Sequence, residues 1–561
     1  MITRHSRFGR TAFLLCLGLL TAKGAFAQDK PSDLTSGTAV NQREVVTNGS
    51  FSHGLSTWSK QGQLELQVLE PDASGAPSVL MSSRKEYDAS IVQDIRESLE
   101  KAGPGWYEIS ARLRTAHGSE TGSITVKVNG EVVTTSQVGI NDKGFTRVSA
   151  KRLVNWDGKL SSAVIYAASK RQAEVMANIS SDTSKKHSDL IIADVSMVKV
   201  SDTTTVDTPQ PDPKLRPKRA VVGAIRWDGY TGESDAVGRG VNKALGPAKY
   251  HYRVPFYGRI TGQDSVDVPA PTLSIIEEEI RHAHAGGIDY WAFDWYPAGY
   301  HNMDSARKLY LSSPLSRYVK WCVVLGTGGF SLKEDLPGLV AEMKLDRYQK
   351  VLGDRPLIYY MGAKQDVAKV ISAIREACKE AGLANPYVVG MAWSANQAAS
   401  NLMDSGCDAM TQYAAGGASG AAFQDYVASQ KGSWEKYAKT GMQVVPWVST
   451  SWDSRPYFDN PSSFYIEKDN TRWVQQGTPQ EIAGLLKKAL DWNEAHPEAN
   501  VTNTVLIYAW NENTEGGWIV PTLFEIRDSG RPQRLDAIRD MLVKVRGPWA
   551  PMPESVPQDT N

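Results

Sequence analysis

The chain has 561 residues, too many for one compact domain, and its composition, 41% hydrophobic and 22% charged, is that of a globular protein. Lys plus Arg and Asp plus Glu both number 62, so no net charge favours nucleic acid, an anionic membrane or a strongly charged substrate. A neutral partner fits this balance. The 16 Trp and 22 Tyr exceed the 12 Phe. Such rings stack on sugar faces, and packing in large cores would explain them equally well.

Residues 1–27 have the pattern of a secretory signal peptide. Arg4, Arg7 and Arg10 precede the apolar run 11–21, and Ala25-Phe26-Ala27 supplies the small residues of a cleavage site. The run is shorter than the roughly 20 residues that a membrane-spanning helix needs, and no later stretch is long and apolar enough. We therefore predict a secreted or periplasmic protein with no membrane span, whose mature chain starts with an N-terminal extension, 28–44.

A linker rich in Pro and Thr, 201–218, separates two regions of different pattern. Before it, short alternating runs predict an all-β sandwich over 45–200, with one helix at 92–102. Asn129-Gly130 predicts a tight hairpin, because this pair accepts the positive φ angles of a type I′ turn. The predicted strands are 64–68, 106–114, 123–128, 131–135, 163–167 and 190–200.

The opening of this region, Val46–Trp58, resembles the start of sandwich modules related to carbohydrate-binding families 4, 9, 16 and 22, and Gly105–Ala111 is similar to their central strand. The resemblance implies a jelly-roll-like fold. Whether the module binds a glycan stays open, because Trp58 and Trp106 fit a core position as well as a binding surface. Calcium is common in such modules, but no ligand cluster here requires it.

After the linker, strand and helix patterns alternate over 219–549, which predicts an α/β domain with a parallel sheet. Eight apolar strands and clear helices at 272–285, 365–381 and 479–493 predict a (β/α)8 TIM barrel, followed by a tail, 550–561. The predicted strands are 220–225, 290–293, 321–325, 357–361, 387–391, 409–413, 444–448 and 505–509.

Trp and acidic residues follow several of these strands. Strand ends carry the chemistry of a barrel, and a rim of Trp and carboxylate suits a neutral sugar, since rings cover its C–H face and carboxylates accept from its hydroxyls. The alternatives are core packing for each Trp, helix capping for each Asp, and ion pairing of Arg455 with Asp453 or Asp294. The predicted substrate-binding residues are Trp227, Asp228, Asp294, Trp295, Tyr296, Trp393, Trp452, Asp453, Arg455, Trp510 and Asn511.

Glu512 and Glu515 are the predicted catalytic residues. They follow the eighth strand on a loop that ends in Gly, and at a spacing of three in a helical turn both would face the same way. Cleavage of a glycosidic bond needs one carboxyl group as an acid and a second as nucleophile or base. A pair of solvated surface acids is the alternative, although Trp510 and Trp518 flank the loop. No Cys or His spacing predicts a metal, and the chemistry requires no cofactor.

Three motifs resemble glycoside hydrolase family 99 and the related WbsX-like domains. Tyr508–Gly516 is similar to their "N-E-W-x-E-G", Ser451–Pro456 to "G-W-D-x-R-P", and Ala285–Tyr296 to "A-G-I-D-x-F-x-x-x-W-Y". The resemblance implies retaining hydrolysis in which Glu512 assists the sugar's own 2-hydroxyl, through a 1,2-anhydro sugar, and Glu515 is the acid/base. Asn513 and Thr514 stand where the endo-α-mannosidases carry Trp and His, so mannose specificity is not implied.

We therefore predict a secreted glycoside hydrolase acting on a neutral polysaccharide or oligosaccharide. A noncatalytic glycan-binding protein that uses the barrel rim and the sandwich is the alternative. Glycosyl transfer, suggested by the WbsX name, fits less well, because an exported chain meets no nucleotide sugars and no Gly-rich phosphate loop is present. The sequence favours neither endo nor exo action.

Overall fold

The computed structural model of the protein describes most of the chain from residue 44 to residue 553. The predicted signal peptide, nearly all of the N-terminal extension, 201–211 of the linker and the tail from 554 lie outside the described residues. The described residues are 44–71, 75, 77–85, 89–135, 138–156, 158–170, 188–200, 212–326, 329–361, 367–393, 395, 405–462 and 471–553.

The first part of the described chain forms two antiparallel sheets. One sheet has the order β1-β4-β10-β6-β7, with β8 also paired to β6, and the other has the order β2-β3-β11-β5-β9. Apolar residues of both sheets form one shared core, so the sheets pack face to face as a sandwich. The strands are β1 Ser59–Gln61, β2 Glu65–Leu69, β3 Ser78–Ser82, β4 Ser90–Asp94, β5 Gly105–Thr115, β6 Ser119–Val128, β7 Glu131–Thr134, β8 Val138–Asn141, β9 Thr146–Val154, β10 Ala163–Lys170 and β11 Leu190–Lys199.

The predicted Asn129-Gly130 hairpin is confirmed. Both residues have positive φ, 47° and 89°, and Val128 pairs directly with Glu131 across the turn. The predicted helix 92–102 is wrong in its first turn, because Ser90–Asp94 is a strand and the helix, α1, covers only Arg96–Ala102. The apolar pair Ile91 and Val92 lies in the sheet, where its β-branched side chains pack well.

The second part has a parallel sheet of nine strands that alternate with helices, and these strands correspond to the eight predicted ones, of which 444–448 is divided into two. Its strands are buried on both faces, which is why they read as continuous apolar runs in the sequence. The strands are β12 Val221–Arg226, β15 Tyr290–Asp294, β16 Lys320–Leu325, β18 Arg355–Met361, β19 Tyr387–Met391, β20 Ala409–Thr411, β21 Gln443–Val444, β22 Trp447–Ser449 and β23 Thr504–Tyr508, with short additional strands β13 Arg259–Gly262, β14 Ser265–Asp267, β17 Lys350–Val351, β24 Asn511–Glu512 and β25 Gly517–Trp518.

The order of this sheet is β21-β20-β19-β18-β16-β15-β12-β23-β22. Its two end strands are consecutive in the chain and are separated only by Val445 and Pro446. Pro446 has no N–H to donate to a ladder, which explains the break between β21 and β22. The segment 443–449 therefore pairs with β20 through its first half and with β23 through its second half.

The helices of this part flank the sheet, and several begin at predictable caps. Thr478 and Thr522 each form a capping box with a Glu three residues later, and Pro479 occupies the first turn of its helix. Among the described residues, no helix is long and apolar enough to cross a membrane. The helices are α2 Ala236–Leu245, α3 Leu273–Ala285, α4 Ser305–Ser312, α5 Leu336–Met343, α6 Val367–Glu380, α7 Phe423–Ala438, α8 Arg455–Asp459, α9 Pro479–Ala495, α10 Leu523–Ser529 and α11 Gln533–Arg546.

Candidate active site

A tight loop after β23 carries Glu512 and Glu515. Strands β24 and β25 pair with each other and enclose the 3-10 turn Asn513–Glu515. Gly516 closes the turn with a φ of +87°, and a Cβ atom at this position would lie 2.7 Å from the Asp453 backbone nitrogen. The glycine therefore lets the loop close on the chain at Asp453, and both glutamates line one pocket.

Residues on either side hold the loop in place. The Trp510 ring is fully buried, and its Nε1 donates to Glu279 of α3 at 2.9 Å. The Asn511 side-chain amide accepts a hydrogen bond from the backbone N–H of Trp227 at 2.9 Å and donates one to the backbone carbonyl of Trp227 at 2.6 Å. Asn513 donates to the Arg253 carbonyl at 2.7 Å. These bonds fix the glutamates relative to the end of β12.

The pocket has a volume of about 340 Å³ and combines carboxyl groups with aromatic rings. It lies at the carboxyl ends of β12, β15, β20 and β23, which deliver its residues from different parts of the chain. Such a lining suits a polyol, since the rings can cover C–H faces and the carboxyl groups can bind hydroxyls. The lining includes Trp227, Asp294, Tyr296, Tyr300, His301, Tyr413, Tyr457, Glu512 and Glu515.

One tyrosine hydroxyl joins two of the carboxyl groups. The Tyr413 hydroxyl oxygen lies 2.6 Å from Asp294 Oδ2 and 2.7 Å from Glu512 Oε1. A hydroxyl has one proton to donate, so both contacts are hydrogen bonds only when one of the two carboxyl groups is itself protonated. The geometry therefore favours one proton shared by Asp294 and Glu512.

The environment of Glu512 and Asp294 raises the pKa of both carboxyl groups. Burial raises the pKa of Glu512 well above its ordinary value, and the charges of Glu515 and Asp294 raise it further, against the hydrogen bond from Tyr413. Burial likewise raises the pKa of Asp294, with contributions from Asp228 and Glu515. Asp294 Oδ1 is buried and has no hydrogen-bond partner.

A buried ionic network adjoins these groups. Arg226 on β12 donates to Asp228 Oδ1 and to Glu279 Oε2, both at 2.9 Å, and its guanidinium packs over Trp291. Burial raises the pKa of Asp228 to about 6 although Arg226 opposes the shift. Asp228 therefore acts on the site through its charge, while its bonded oxygen is engaged by Arg226.

Five of the predicted site residues line the pocket: Trp227, Asp294, Tyr296, Glu512 and Glu515. Two predicted Trp residues have a different environment from the one expected for a binding surface. Trp510 belongs to the core described above, and Trp295 is buried with its ring edge against Phe330 at 5.0 Å. Asn511 is buried and bonded to Trp227, so it positions the loop.

Asp453 and Arg455 form the ion pair that was the alternative to substrate contact. Arg455 donates two hydrogen bonds to Asp453, at 2.7 and 2.9 Å, and its guanidinium lies 3.6 Å from the centre of the Trp473 ring. Arg253, fully buried, also binds Asp453. Trp452 is half-buried, and its ring packs beside Tyr508. Trp452, Asp453 and Arg455 thus lie next to the glutamate loop, on the side of α8.

Trp393 is 56% exposed and lines a second cleft, outside the pocket that contains the glutamates. The sequence prediction did not include several residues of the glutamate pocket, among them Tyr300, His301, Tyr413 and Tyr457. A lone Tyr after a strand forms no motif, although the position of Tyr413 just past β20 is a signal of the kind that identified Trp227. Among the described residues, no group of three or more His, Cys, Asp or Glu could hold a metal ion.

Comparison with protein families finds a match in the second part of the chain. Residues 333–525 match the family model described as "Glycosyltransferase WbsX". The resemblance to WbsX-like domains predicted from the sequence motifs is confirmed for these residues, which include Glu512 and Glu515. No curated protein matches the chain significantly.

Solved structures similar to the chain include a family 99 glycoside hydrolase and carbohydrate-binding modules, the other two groups that the sequence motifs resemble. The GH99 endo-alpha-mannosidase from Bacteroides thetaiotaomicron is 14% identical, with a TM-score of 0.39 over 58% of this chain and 98% of that chain. The CBM22-1 xylan-binding domain of Xyn10C from Paenibacillus barcinonensis is 14% identical, with a TM-score of 0.23 over 29% of this chain and 100% of that chain. The CBM22-1-GH10 modules of a xylanase from Clostridium thermocellum are 12% identical, with a TM-score of 0.25 over 89% of this chain and 97% of that chain.

Proposed function

We propose that this protein is a glycoside hydrolase that cleaves a neutral glycan with retention, using Glu512 and Glu515. The observation that carries the proposal is the convergence of these two glutamates on one aromatic pocket, where burial and the neighbouring carboxylate raise the pKa of Glu512. Two carboxyl groups whose titrations interact can hold one proton between them, which is the state that an acid and a base acting together require.

The proposed reaction follows the roles that the family resemblance implies. Glu512 takes the proton of the sugar's 2-hydroxyl, whose oxygen attacks the anomeric carbon, while Glu515 gives its proton to the departing glycosidic oxygen. The C–O bond to the leaving group breaks as the 1,2-anhydro ring forms. Glu515 then takes a proton from water, the water oxygen opens the ring at the anomeric carbon, and Glu512 returns its proton to the 2-oxygen. The two inversions give net retention.

The contacts of each glutamate support these roles. Glu512 is 5% exposed and has a raised pKa, so its carboxylate is a stronger base than an exposed one. Glu515 is half-buried and accepts from the Tyr508 hydroxyl at 3.2 Å, so it stands closer to solvent, where the leaving group departs and water enters.

We also propose that the α/β part is a closed (β/α)8 barrel. The support is the segment 443–449, which pairs with β20 on one side and with β23 on the other, so that the two ends of the sheet meet in one stretch of chain. The signal sequence 1–27 supports a secreted or periplasmic location, which export of a reporter fused to these residues would test.

Replacement of each glutamate tests the hydrolase proposal. Glu512→Gln and Glu515→Gln should each lower kcat on a glycan substrate by at least about 100-fold, because each removes one proton transfer. Glu498→Gln, at an exposed position on another loop, is the matched control and should keep full activity. Undiminished release of reducing ends by both glutamate variants would refute the proposal.

An activated substrate separates the two roles. An aryl glycoside with a good leaving group needs no protonation of that group, so Glu515→Gln should lose less activity on it than on the natural linkage. Glu512→Gln should lose activity on both substrates. The reverse order would exchange the roles, and an initial product of inverted anomeric configuration by NMR would exclude the 1,2-anhydro route.

Glycosyl transfer is the second candidate, and the description of the matching family favours it. The same glutamate pair could transfer the sugar to a hydroxyl of a second glycan in place of water. Incubation of a donor glycan with increasing acceptor oligosaccharide distinguishes the two, because a hydrolase yields free reducing sugar throughout and a transferase yields elongated acceptor with little reducing sugar.

A further inference from the structure

A second cleft, between the sandwich and the α/β part, has the chemistry of a sugar-binding site. It has a volume of about 370 Å³ and is lined by the hairpin β6–β7 and the end of β9 on one side, and by the ends of β19 and β20 and helix α7 on the other. Its aromatic residues are Trp156 of the sandwich and Trp393 and Tyr437 of the α/β part, and its charged residues are Glu131 and Lys436. One acid and one base give no net charge, which favours a neutral ligand.

Trp393 is the most exposed of the large hydrophobic residues described, at 56%. The backbone that carries it is nevertheless fixed. The Gln412 amide donates to the Trp393 carbonyl and to the Tyr437 hydroxyl, both at 3.0 Å, and that hydroxyl donates to the Ala392 carbonyl at 2.8 Å. An indole ring on a rigid backbone, open to a cleft, offers a face on which a sugar ring can stack.

The two walls of the cleft are in contact. Leu153 and Trp106 of the sandwich form an apolar cluster with Met442, which follows α7. Tyr437 of α7 has a pKa raised by its burial, and the charge of Glu131 on β7 contributes to the shift. The sandwich therefore closes one side of the cleft at short range, and sites between domains are a common location for ligands.

The cleft and the pocket that contains the glutamates approach each other at the end of β20. Gln412 lines the cleft, and the next residue, Tyr413, lines the glutamate pocket and bonds to Glu512.

We propose that this cleft is a binding subsite for a neutral polysaccharide, in which Trp393 and Trp156 hold sugar units of the same chain that is cleaved beside Glu512 and Glu515. The choice of ligand class rests on the proposed function. The sandwich acts here as part of the substrate site of the α/β domain, and the protein is specific for polymers rather than for short oligosaccharides.

Affinity gel electrophoresis of the full chain tests the proposal. The probes are three neutral polysaccharides cast separately in the gel: a β-1,4-xylan, an α-mannan and a β-glucan. The Glu515→Gln variant, which prevents turnover, should be retarded by at least one of them. Adding Trp393→Ala should weaken that retardation by about tenfold or more, the effect of losing a stacked ring. Adding Val68→Ala, at an exposed position on β2, should leave it unchanged.

Kinetics supply a second readout with active enzyme. Trp393→Ala and Trp156→Ala should raise KM on the retarding polysaccharide while kcat/KM on a short aryl glycoside stays within about twofold, because the short substrate occupies only the glutamate pocket. Equal loss on both substrates, no retardation by any of the three polysaccharides, or full retardation of Trp393→Ala would overturn the proposal. Retention of hydrolysis by both glutamate variants would refute the hydrolase proposal alone, since binding in the gel does not depend on turnover.

Discussion

The Tyr413 hydroxyl connects residues that follow or end three different strands of the sheet. It follows β20, it contacts Asp294 at the end of β15, and it contacts Glu512 after β23. Its hydrogen bonds lower the pKa of both carboxyl groups, against the stronger effect of burial. Tyr413 therefore limits how far the pKa of Glu512 rises, and with it the pH at which Glu512 ionises.

Tyr413→Phe should shift the pH dependence of activity. Loss of the hydroxyl removes a donor to the carboxylate form, so the pKa of Glu512 rises and the acidic limb of the kcat/KM profile, which requires an ionised Glu512, moves to higher pH. At the optimum we expect kcat to fall by about 10- to 100-fold, since Glu512 also loses a group that orients it. The measurement is kcat/KM from pH 4 to 9.

Tyr348→Phe is the matched control for this prediction. Tyr348 is buried and donates to the Leu357 carbonyl at 3.0 Å, outside the glutamate pocket, so its loss costs one hydrogen bond of similar kind. It should leave the pH profile in place. A Tyr413→Phe profile that moves to lower pH, or that overlies the wild type, would contradict the role assigned to the hydroxyl.

At the scale of the element, the glutamate loop depends on one glycine. Gly516 has a left-handed φ and lies so close to Asp453 that a Cβ atom would meet the backbone at 2.7 Å, whereas Gly530, at the end of α10, has a φ of +68° and open space around it. Both positions require a left-handed backbone, but only at Gly516 would a Cβ atom overlap a neighbouring segment. Substitution of each glycine therefore distinguishes the cost of backbone strain from the cost of disturbing the packing that positions Glu515.

Gly530→Ala should lower the free energy of unfolding by about 1–2 kcal/mol, the cost of a left-handed alanine, and leave activity unchanged. Gly516→Ala should cost about 1–3 kcal/mol more, because the loop or the chain at Asp453 must shift to relieve the overlap. Its kcat should fall by at least about tenfold as Glu515 moves. Denaturant titration and kcat on the same preparations test both; equal behaviour of the two variants would exclude a special role for Gly516.

The same loop shows what the sequence could and could not predict. The spacing of Glu512 and Glu515 predicted that both would face one way, and both line the pocket; that they are catalytic stays a prediction. Trp510 was predicted to face the ligand, but its ring packs into the core on Glu279. Sequence position places a residue at a strand end without deciding which face its side chain takes, and that choice is made by distant partners such as Glu279 and Trp291.

The strands show the same distinction. Every strand of the parallel sheet falls on a predicted strand, because both faces are buried and the apolar runs are continuous; only the break of 444–448 at Pro446 was not predicted. In the sandwich, β1, β3, β4, β8 and β9 were not predicted. Strand β9 carries Arg147, Lys151 and Arg152 among its apolar residues, and Arg152 is buried because it bonds to the backbone, as in its bond to the Thr134 carbonyl at 3.0 Å. Such a strand has no clear alternation, since a tertiary contact stabilises its buried charge.

At the scale of the whole molecule, the carboxyl cluster reduces stability at neutral pH. The pKa values of Asp294 and Glu512 in the folded protein lie above the ordinary values of 3.8 and 4.5. The folded state therefore binds more protons than the unfolded state as pH rises from these values to the raised ones, and the free energy of unfolding falls over this interval. The raised pKa values that keep a proton in the pocket therefore lower the stability of the fold at neutral pH.

The double variant Asp294→Asn with Glu512→Gln should consequently be more stable than the wild type at pH 8. We expect a Tm higher by about 2–4 °C, the shift that about 1 kcal/mol produces in a large domain. The difference should shrink towards pH 4, where both carboxyl groups of the wild type are protonated and no buried charge remains to be removed. Thermal unfolding from pH 4 to 8 measures this, with Glu498→Gln as the exposed control. A gain that does not depend on pH would point to packing, and a loss at pH 8 would mean that the ionised cluster stabilises the fold, against the direction derived from its burial.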